Sequence, residues 1–233
     1  MAVPDFQRAR SAEAKQVRES AILAAARELG AERGIRQITL TEIADAVGMH
    51  KSALLRYFET REQIFLRLTA DGWREWSAAL RAELGGLAAP TPAQVPAPAQ
   101  AAVAEAFART LAARGLFCDL LAQAPLNLER NVSLPTARAF KLVTLAEVEA
   151  IVAAVRRLLP GLTERDGVDL IAAATAMSGA FWQMATPGPE LAALYRSDPR
   201  LAHAVVDVEP RVTRLLTAML AGLGARAAAA GTS

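Results

Sequence analysis

The chain has 233 residues, of which 21% are charged and 5% aromatic, with a formal net charge of +2. That length buries a sizeable core in one large or two small domains, while so mild a charge excludes a uniformly basic coat, leaving any nucleic-acid surface to local clustering. The single Cys118 excludes an internal disulfide and a cysteine-rich zinc site, which fits a reducing, cytoplasmic setting.

Alanine is abundant and no stretch sustains the β-branched alternation of a sheet, so the expected fold class is all-α. Residues 1–10 hold no apolar core of signal-peptide length. The longest apolar run, residues 170–185, is broken by Thr175, Ser178, Gly179 and Gln183 and falls short of the roughly 20 apolar residues a membrane span needs. A soluble protein without a membrane partner is expected.

In chain order, a loose polar arm up to about Ala14, bearing Arg8 and Arg10 and read as either a disordered terminus or an arm touching DNA backbone or minor groove, leads into a helix over residues 13–33. Val17, Ala21, Ile22, Ala25 and Leu29 mark its buried face, and Gly34 stops it. Thr39 then opens a second helix, with Glu42 three residues on completing a capping box and Ile43, Ala46 and Val47 forming the apolar face. Gly48 supplies the left-handed turn, and a helix resumes over residues 49–57. No acidic residue lies between Gly48 and Phe58, whereas His50, Lys51, Arg56 and Tyr57 do, so this helix can approach phosphates. Residues 39–58 thus read as a helix-turn-helix whose second helix enters a DNA major groove.

A second capping box, Thr60 to Gln63, opens a long helix over residues 60–84 that joins two domains, 1–60 and 61–233. An Ala/Pro-rich linker is expected over residues 85–98. Further helices are expected over residues 100–113, 116–124, 134–159 and 163–185, then two short pieces, 190–195 and 199–205. A last helix begins at Pro210 and ends at Gly222 or Gly224, before a frayed tail over residues 225–233.

Met49, Ala53, Leu54 and Phe58 share the inward side of the reading helix, which turns His50, Lys51, Ser52, Leu55 and Arg56 toward the groove. Lys51 and Arg56 suit phosphate oxygens or guanine edges, Ser52 either base or phosphate, and Leu55 a thymine methyl. Thr39 and Thr41 stand at a helix N-terminus, and Tyr57 and Arg61 clamp the backbone. His203 is the only histidine besides His50, and neither adjoins a ligand cluster, so no metal or other cofactor is expected. No nucleophile with its base, paired carboxylates or phosphate loop is evident, and no enzymatic activity is expected.

Ile22-Leu23-Ala24-Ala25-Ala26, Gly30 with Gly34, Leu40-Thr41-Glu42-Ile43-Ala44, Val47-Gly48, Leu54, Arg56-Tyr57-Phe58 and Thr60-Arg61-Glu62 resemble the DNA-binding domain of the TetR family of transcriptional regulators. The resemblance covers about a fifth of the chain; beyond it the likeness is general, with Leu128-Glu129-Arg130-Asn131 the most motif-like piece. It implies a homodimer, a three-helix DNA-binding domain and a larger helical domain that binds a small effector. The chain departs from the family pattern at Leu55, where Tyr is usual, at His50 (Ser or Thr), at Ser52 (Gly) and at Arg61 (Lys).

Two helices, one carrying Ala172, Ala176, Gly179 and Ala180, the other Val212, Leu215, Leu216, Met219 and Leu223, are either intrachain core or, as the resemblance implies, a four-helix dimer interface. The bulky apolar residues of the second domain are either core or the wall of an effector pocket. They are Trp73, Trp76, Phe107, Phe117, Phe140, Met177, Phe181 and Trp182, with Gln123, Asn127 and Gln183 as polar anchors. The expected function is a ligand-responsive regulator, a repressor released from a palindromic double-stranded operator by a small hydrophobic or aromatic effector. The rival is a helical binding or interaction protein that keeps the fold without operator recognition.

Overall fold

Good helix formers run almost unbroken from the N-terminus, so the first helix does not wait for the residues that bury it. In the computed structural model, which describes residues 4–88 and 97–230 and the side chains of all these except 4–12, 228 and 230, α1 spans Pro4–Arg33. It starts well before the expected residue 13, with Pro4 at a favoured first-turn position and Ala, Gln, Arg, Glu and Lys carrying the turns. Residues 1–3 of the expected arm lie outside the described residues. Val17 is 66% exposed and Ala21 is also exposed, contrary to expectation, because this end of the helix extends past the body; burial begins at Ile22, Ala25 and Ala26.

Gly34, at φ 80°, ends α1 and turns the chain into a short 3-10 turn, Ile35–Gln37. Helices α2 (Leu40–Ala46) and α3 (Lys51–Leu54) follow, and Ile22, Ile35, Ile38, Ile43, Leu54 and Phe58 close a small core with Ile64 and Phe65 of α4 (Arg61–Gly86). Ala44, rather than Ala46, joins Ile43 on the buried face of α2. The 26 residues of α4 give a rod of about 39 Å, long enough to pass from this N-terminal unit into the second body.

The second body is built around α4 by α5 (Ala97–Ala112), α6 (Gly115–Gln123), α7 (Leu134–Leu158), α8 (Glu164–Ala185), α9 (Pro189–Ser197) and α10 (Val208–Ala230). Helix α7 lies along α4, α8 packs on α6, and α10 covers α5 and α8. No strand occurs among the described residues, so the fold is all-α. Of the expected linker, α4 takes residues 85–86 and α5 takes 97–98, while residues 89–96 lie outside the described residues.

Two departures from the sequence reading have physical causes, one in the backbone and one in packing. Beyond α6 the chain forms a π-turn, Ala124–Leu128, and then a 3-10 turn, Glu129–Asn131, where Pro125 cannot continue the α-helical ladder. Helix α10 passes through Gly222 and Gly224 to Ala230 instead of fraying from residue 225. Gly224 admits Gln100 of α5 so closely that a Cβ there would lie 2.3 Å from its Nε2, and Arg226 donates to Asp166 Oδ1 at 2.5 Å. Residues 231–233 lie outside the described residues. Among the described residues, no helix is long and apolar enough to cross a membrane.

Candidate nucleic-acid interface

The turn between α1 and α3 is fixed by reciprocal hydrogen bonds. Thr39 N donates to Glu42 Oε2 at 2.7 Å and Glu42 N donates to Thr39 Oγ1 at 3.2 Å, completing the expected capping box. Arg33, at the end of α1, pairs with the other oxygen of Glu42 at 2.9 Å. The Thr39 hydroxyl, then its amide, then Arg33 hold the Glu42 carboxyl down at about 2, so Glu42 is charged and paired with Arg33. Gly48, at φ 63°, makes the left-handed turn, and Met49 N donates back to Ala44 O at 2.9 Å.

The reading helix is shorter than the expected 49–57. Regular α3 covers Lys51–Leu54, after which Tyr57 N donates to Leu54 O at 2.9 Å in a tighter turn. A 3-10 turn aligns positions i and i+3. Leu54 and Tyr57 thereby face the core together, and Phe58 follows into it. His50 is the N-cap: Ser52 N and Ser52 Oγ approach its Nδ1 at 3.4 and 2.9 Å, so the ring does locally what a Ser or Thr hydroxyl would do.

Thr39, Thr41, His50, Lys51, Ser52, Leu55 and Arg56 are all exposed on this unit, Leu55 at 44%. Lys51 and Arg56 form no ion pair among the described residues, so both cations stand open to an anionic partner. Tyr57 is half-buried against the core. Arg61 differs from the others: its guanidinium turns inward, donating to the carbonyls of Ile35 and Ile38, pairing with Glu62 at 2.9 Å and lying 4.7 Å from the Phe65 ring centroid. Its donors hold the joint between α1 and α2 instead of facing outward.

The same joint is gripped from the second body. Asp119 of α6, only 6% exposed, accepts from Ile35 N through Oδ2 and from Gln183 Nε2 of α8 through Oδ1, each at 2.8 Å. Asp119 and Gln183 border a crevice of about 730 Å³ between the N-terminal unit and the second body, lined also by Gly34, Arg36 and Trp182. Neither Asp119 nor the inward turn of Arg61 was anticipated, although one acid inside the apolar run Leu116-Phe117-Cys118-Asp119-Leu120 is a visible signal.

The expected effector residues do not gather around one cavity. Trp76 and Phe107 have no exposed surface, so no void large enough for water touches them. They stack with Trp73 and Phe117 at centroid distances of 5.4 to 6.0 Å, and Trp76 Nε1 donates to Thr110 Oγ1 at 3.0 Å. This cluster is core. Phe140 instead borders a recess of about 250 Å³ between α4 and α7, Phe117 one of about 280 Å³ between α1, α4 and α6, and Trp182 and Gln183 the large crevice. Gln123, Asn127, Met177 and Phe181 are partly buried, and Phe181 lies under Arg211 at 5.5 Å.

The expected interface residues divide by burial. Gly179 packs on the Ala122 backbone, and Val212 and Leu216 have no exposed surface, so these three serve the chain's own core and are not free for a partner. Ala172, Ala176 and Ala180 are exposed and continue a line from Val168 to Met184, 41% and 48% exposed, at four-residue spacing along α8. Leu215 is 38% exposed on the neighbouring α10, while Met219 and Leu223 are half-buried.

Comparison with known proteins agrees with this arrangement. Residues 22–68 match the family described as bacterial regulatory proteins, tetR family, and residues 70–227 match the tetracyclin repressor-like C-terminal domain. A possible TetR family transcriptional regulator from Streptomyces coelicolor superposes with a TM-score of 0.57 at 20% identity, covering 89% of this chain and 98% of that one. The fatty acid degradation regulator FadR from Bacillus halodurans gives 0.51 at 14% identity, over 88% and 93% of the two chains. The Thermus thermophilus FadR repressor, solved in complex with lauroyl-CoA, gives 0.50 at 21% identity over 81% and 95%. No curated protein matches the sequence. With its helix-turn-helix and its helical second body both matched, the chain belongs to the TetR family of bacterial transcriptional regulators.

Proposed function

We infer that the chain acts as a homodimeric repressor that reads an approximately palindromic operator and leaves it when an effector binds the second body, with no catalytic step of its own. The observation that carries this is the exposed face of the helix-turn-helix, where Lys51 and Arg56 stand unpaired beside Ser52, Leu55 and the N-terminus of α2. Thr39, Thr41, His50 and Tyr57 belong to the same face or its edge. Arg61 is assigned to positioning, because its guanidinium is already engaged within the chain.

A single copy offers one reading helix. The line Val168, Ala172, Ala176, Ala180 and Met184 on α8, with Leu215 on α10, gives a second copy a close-packing apolar seam. Two units joined there can set their reading helices about 34–36 Å apart, one helical turn of DNA. An effector has a direct lever on the rod in the recess between α4 and α7, where Leu66, Ala70, Phe140 and Val143 form an apolar wall with Arg67 and Arg74 beside it. That lining suits a small, mainly apolar molecule whose acidic group meets Arg67, since Arg74 is already paired with Asp71 at 2.7 Å.

The test is selection of duplexes from a random DNA pool, followed by gel-shifts of Lys51→Ala and Arg56→Ala on the selected sequence. A palindromic consensus is expected, with each substitution weakening binding and lowering the salt slope by about 1 where the cation meets a phosphate. If neither substitution alters affinity or slope, the chain is the non-reading helical binder instead. A monomer at working concentration removes the dimer from the reading.

A further inference from the structure

We propose that Asp119 is a positioning residue for DNA recognition: its carboxylate ties the Ile35 amide of the helix-turn-helix unit to Gln183 of α8, so that a change at α8 reaches the reading helix. The proposal rests on the DNA-binding reading above and adds the residue that transmits control to it.

The geometry isolates this carboxylate. Ile35 opens the 3-10 turn between α1 and α2, and the N-cap of that turn is Gly34, which has no side chain to offer. The amide therefore takes its acceptor from another element, Asp119 Oδ2 at 2.8 Å. The carbonyls of Ile35 and Ile38 are held by Arg61 of α4, so the joint that orients α2 and α3 is gripped by α6 on one side and α4 on the other. The second oxygen of Asp119 is held by Gln183, and no cation pairs with the carboxylate among the described residues.

A buried carboxylate supported by two neutral donors depends on both. If Gln183 withdraws, the charge keeps a single donor, and rotation toward the water of the adjacent 730 Å³ crevice becomes the better solvated position. That rotation drops the Ile35 amide. Gln183 lies between Ala180 and Met184, on the same helix as the proposed subunit seam, so a shift of α8 has a short path to this bond. Gly34 is required by its own φ of 80°, and a Cβ there would meet Asp119 Oδ2 at 3.6 Å, an ordinary contact distance.

The experiment compares the full-length wild type with Gln183→Ala, Asp119→Asn and the double variant, using two readouts. One is affinity for the duplex selected by the wild type; the other is hydrogen exchange of the Ile35 amide. Gln183→Ala touches no residue of the reading face, yet it is expected to weaken operator binding at least about five-fold, the lower end of typical allosteric coupling. The Ile35 amide should exchange at least about ten-fold faster, as local opening is no longer held shut. The double variant should do no more than the stronger single one, because both act on one chain of bonds.

Unchanged affinity and unchanged Ile35 exchange in Gln183→Ala overturn the proposal, even if its melting temperature falls. Additive effects of the two substitutions overturn it as well. Should Asp119→Asn fail to fold, Gln183→Ala decides alone. If the wild type selects no DNA, the DNA-binding reading fails, and Ile35 exchange still decides whether Asp119 ties the two units: faster exchange in Gln183→Ala supports the tie, and unchanged exchange removes it.

Discussion

Gly72 of α4 lies directly beneath the ring of Phe117 of α6, so that a Cβ built on the glycine would stand 2.4 Å from Phe117 Cδ2. Glycine inside a helix costs roughly 1 kcal/mol relative to alanine. Its presence in the connecting rod reflects this close approach, which lets Phe117 meet Trp73 edge-on and Trp76 at a tilt of 39°.

Gly72→Ala is accordingly expected to destabilise the fold despite its better helix propensity. Overpacking a close-set core costs about 1–3 kcal/mol, of which about 1 kcal/mol is returned by the propensity gain. A net loss near 1 kcal/mol lowers the melting temperature by about 2–4 °C for a chain of this size. Pairing it with Phe117→Leu should recover part of the loss, measured by thermal unfolding. An unchanged or raised melting point for Gly72→Ala contradicts the packing account.

The cap on α3 leads to a second expectation. His50 Nδ1 accepts from Ser52 N, and α3 is only four residues long, so this bond supports a large share of the element. His50→Ala should cost about 1 kcal/mol and weaken binding to the selected duplex, whereas His50→Ser restores a short hydroxyl cap and should recover most of both. Equal affinities for all three proteins would show that the cap does not govern the reading helix.

Sequence patterning made the turn chemistry legible wherever one residue type has few uses. Glycine at positive φ, as at Gly34 and Gly48, and Thr-x-x-Glu capping are local rules, and the structure follows them. What stayed hidden depends on long-range partners. Arg61 reads as a phosphate clamp until the bare carbonyls of Ile35 and Ile38 are placed beside it. Asp119 reads as one more helix residue until Ile35, 84 positions away in sequence, is brought to it. Likewise Gly179 and Val212 share with Ala176 and Leu215 the composition of a subunit seam; only the packing of α8 on α6 and α10 separates the inward residues from the outward ones.

Glu42 sets an acid dependence. Its carboxyl is held at about 2 against an ordinary 4.5, chiefly by the Thr39 hydroxyl and amide and then by Arg33. With the folded value depressed, the native state binds fewer protons than the unfolded chain, so the contribution is complete above pH 4.5 and is lost as pH falls from there toward 2. Across that window the wild type should lose stability more steeply than Glu42→Ala, and the two curves should converge near pH 2. Parallel acid-unfolding curves would deny the capping box this role.

Cys118 gives the opposite sign. Its thiol is fully buried, donates to Leu111 O at 3.3 Å, and is pushed up to about 12, first by burial and then by the neighbouring Asp119 charge. A thiol so placed is almost entirely protonated at neutral pH and shielded from reagents, which marks it as packing rather than a redox sensor. Native protein should leave a thiol reagent such as Ellman's unreacted on a timescale of hours at pH 8, and release one equivalent once denatured. Because the native state keeps a proton that the unfolded chain gives up near 9.0, this group's contribution is complete below pH 9 and declines as pH rises toward 12. Cys118→Ala should remove that alkaline slope, and rapid labelling of the folded protein would overturn the assignment.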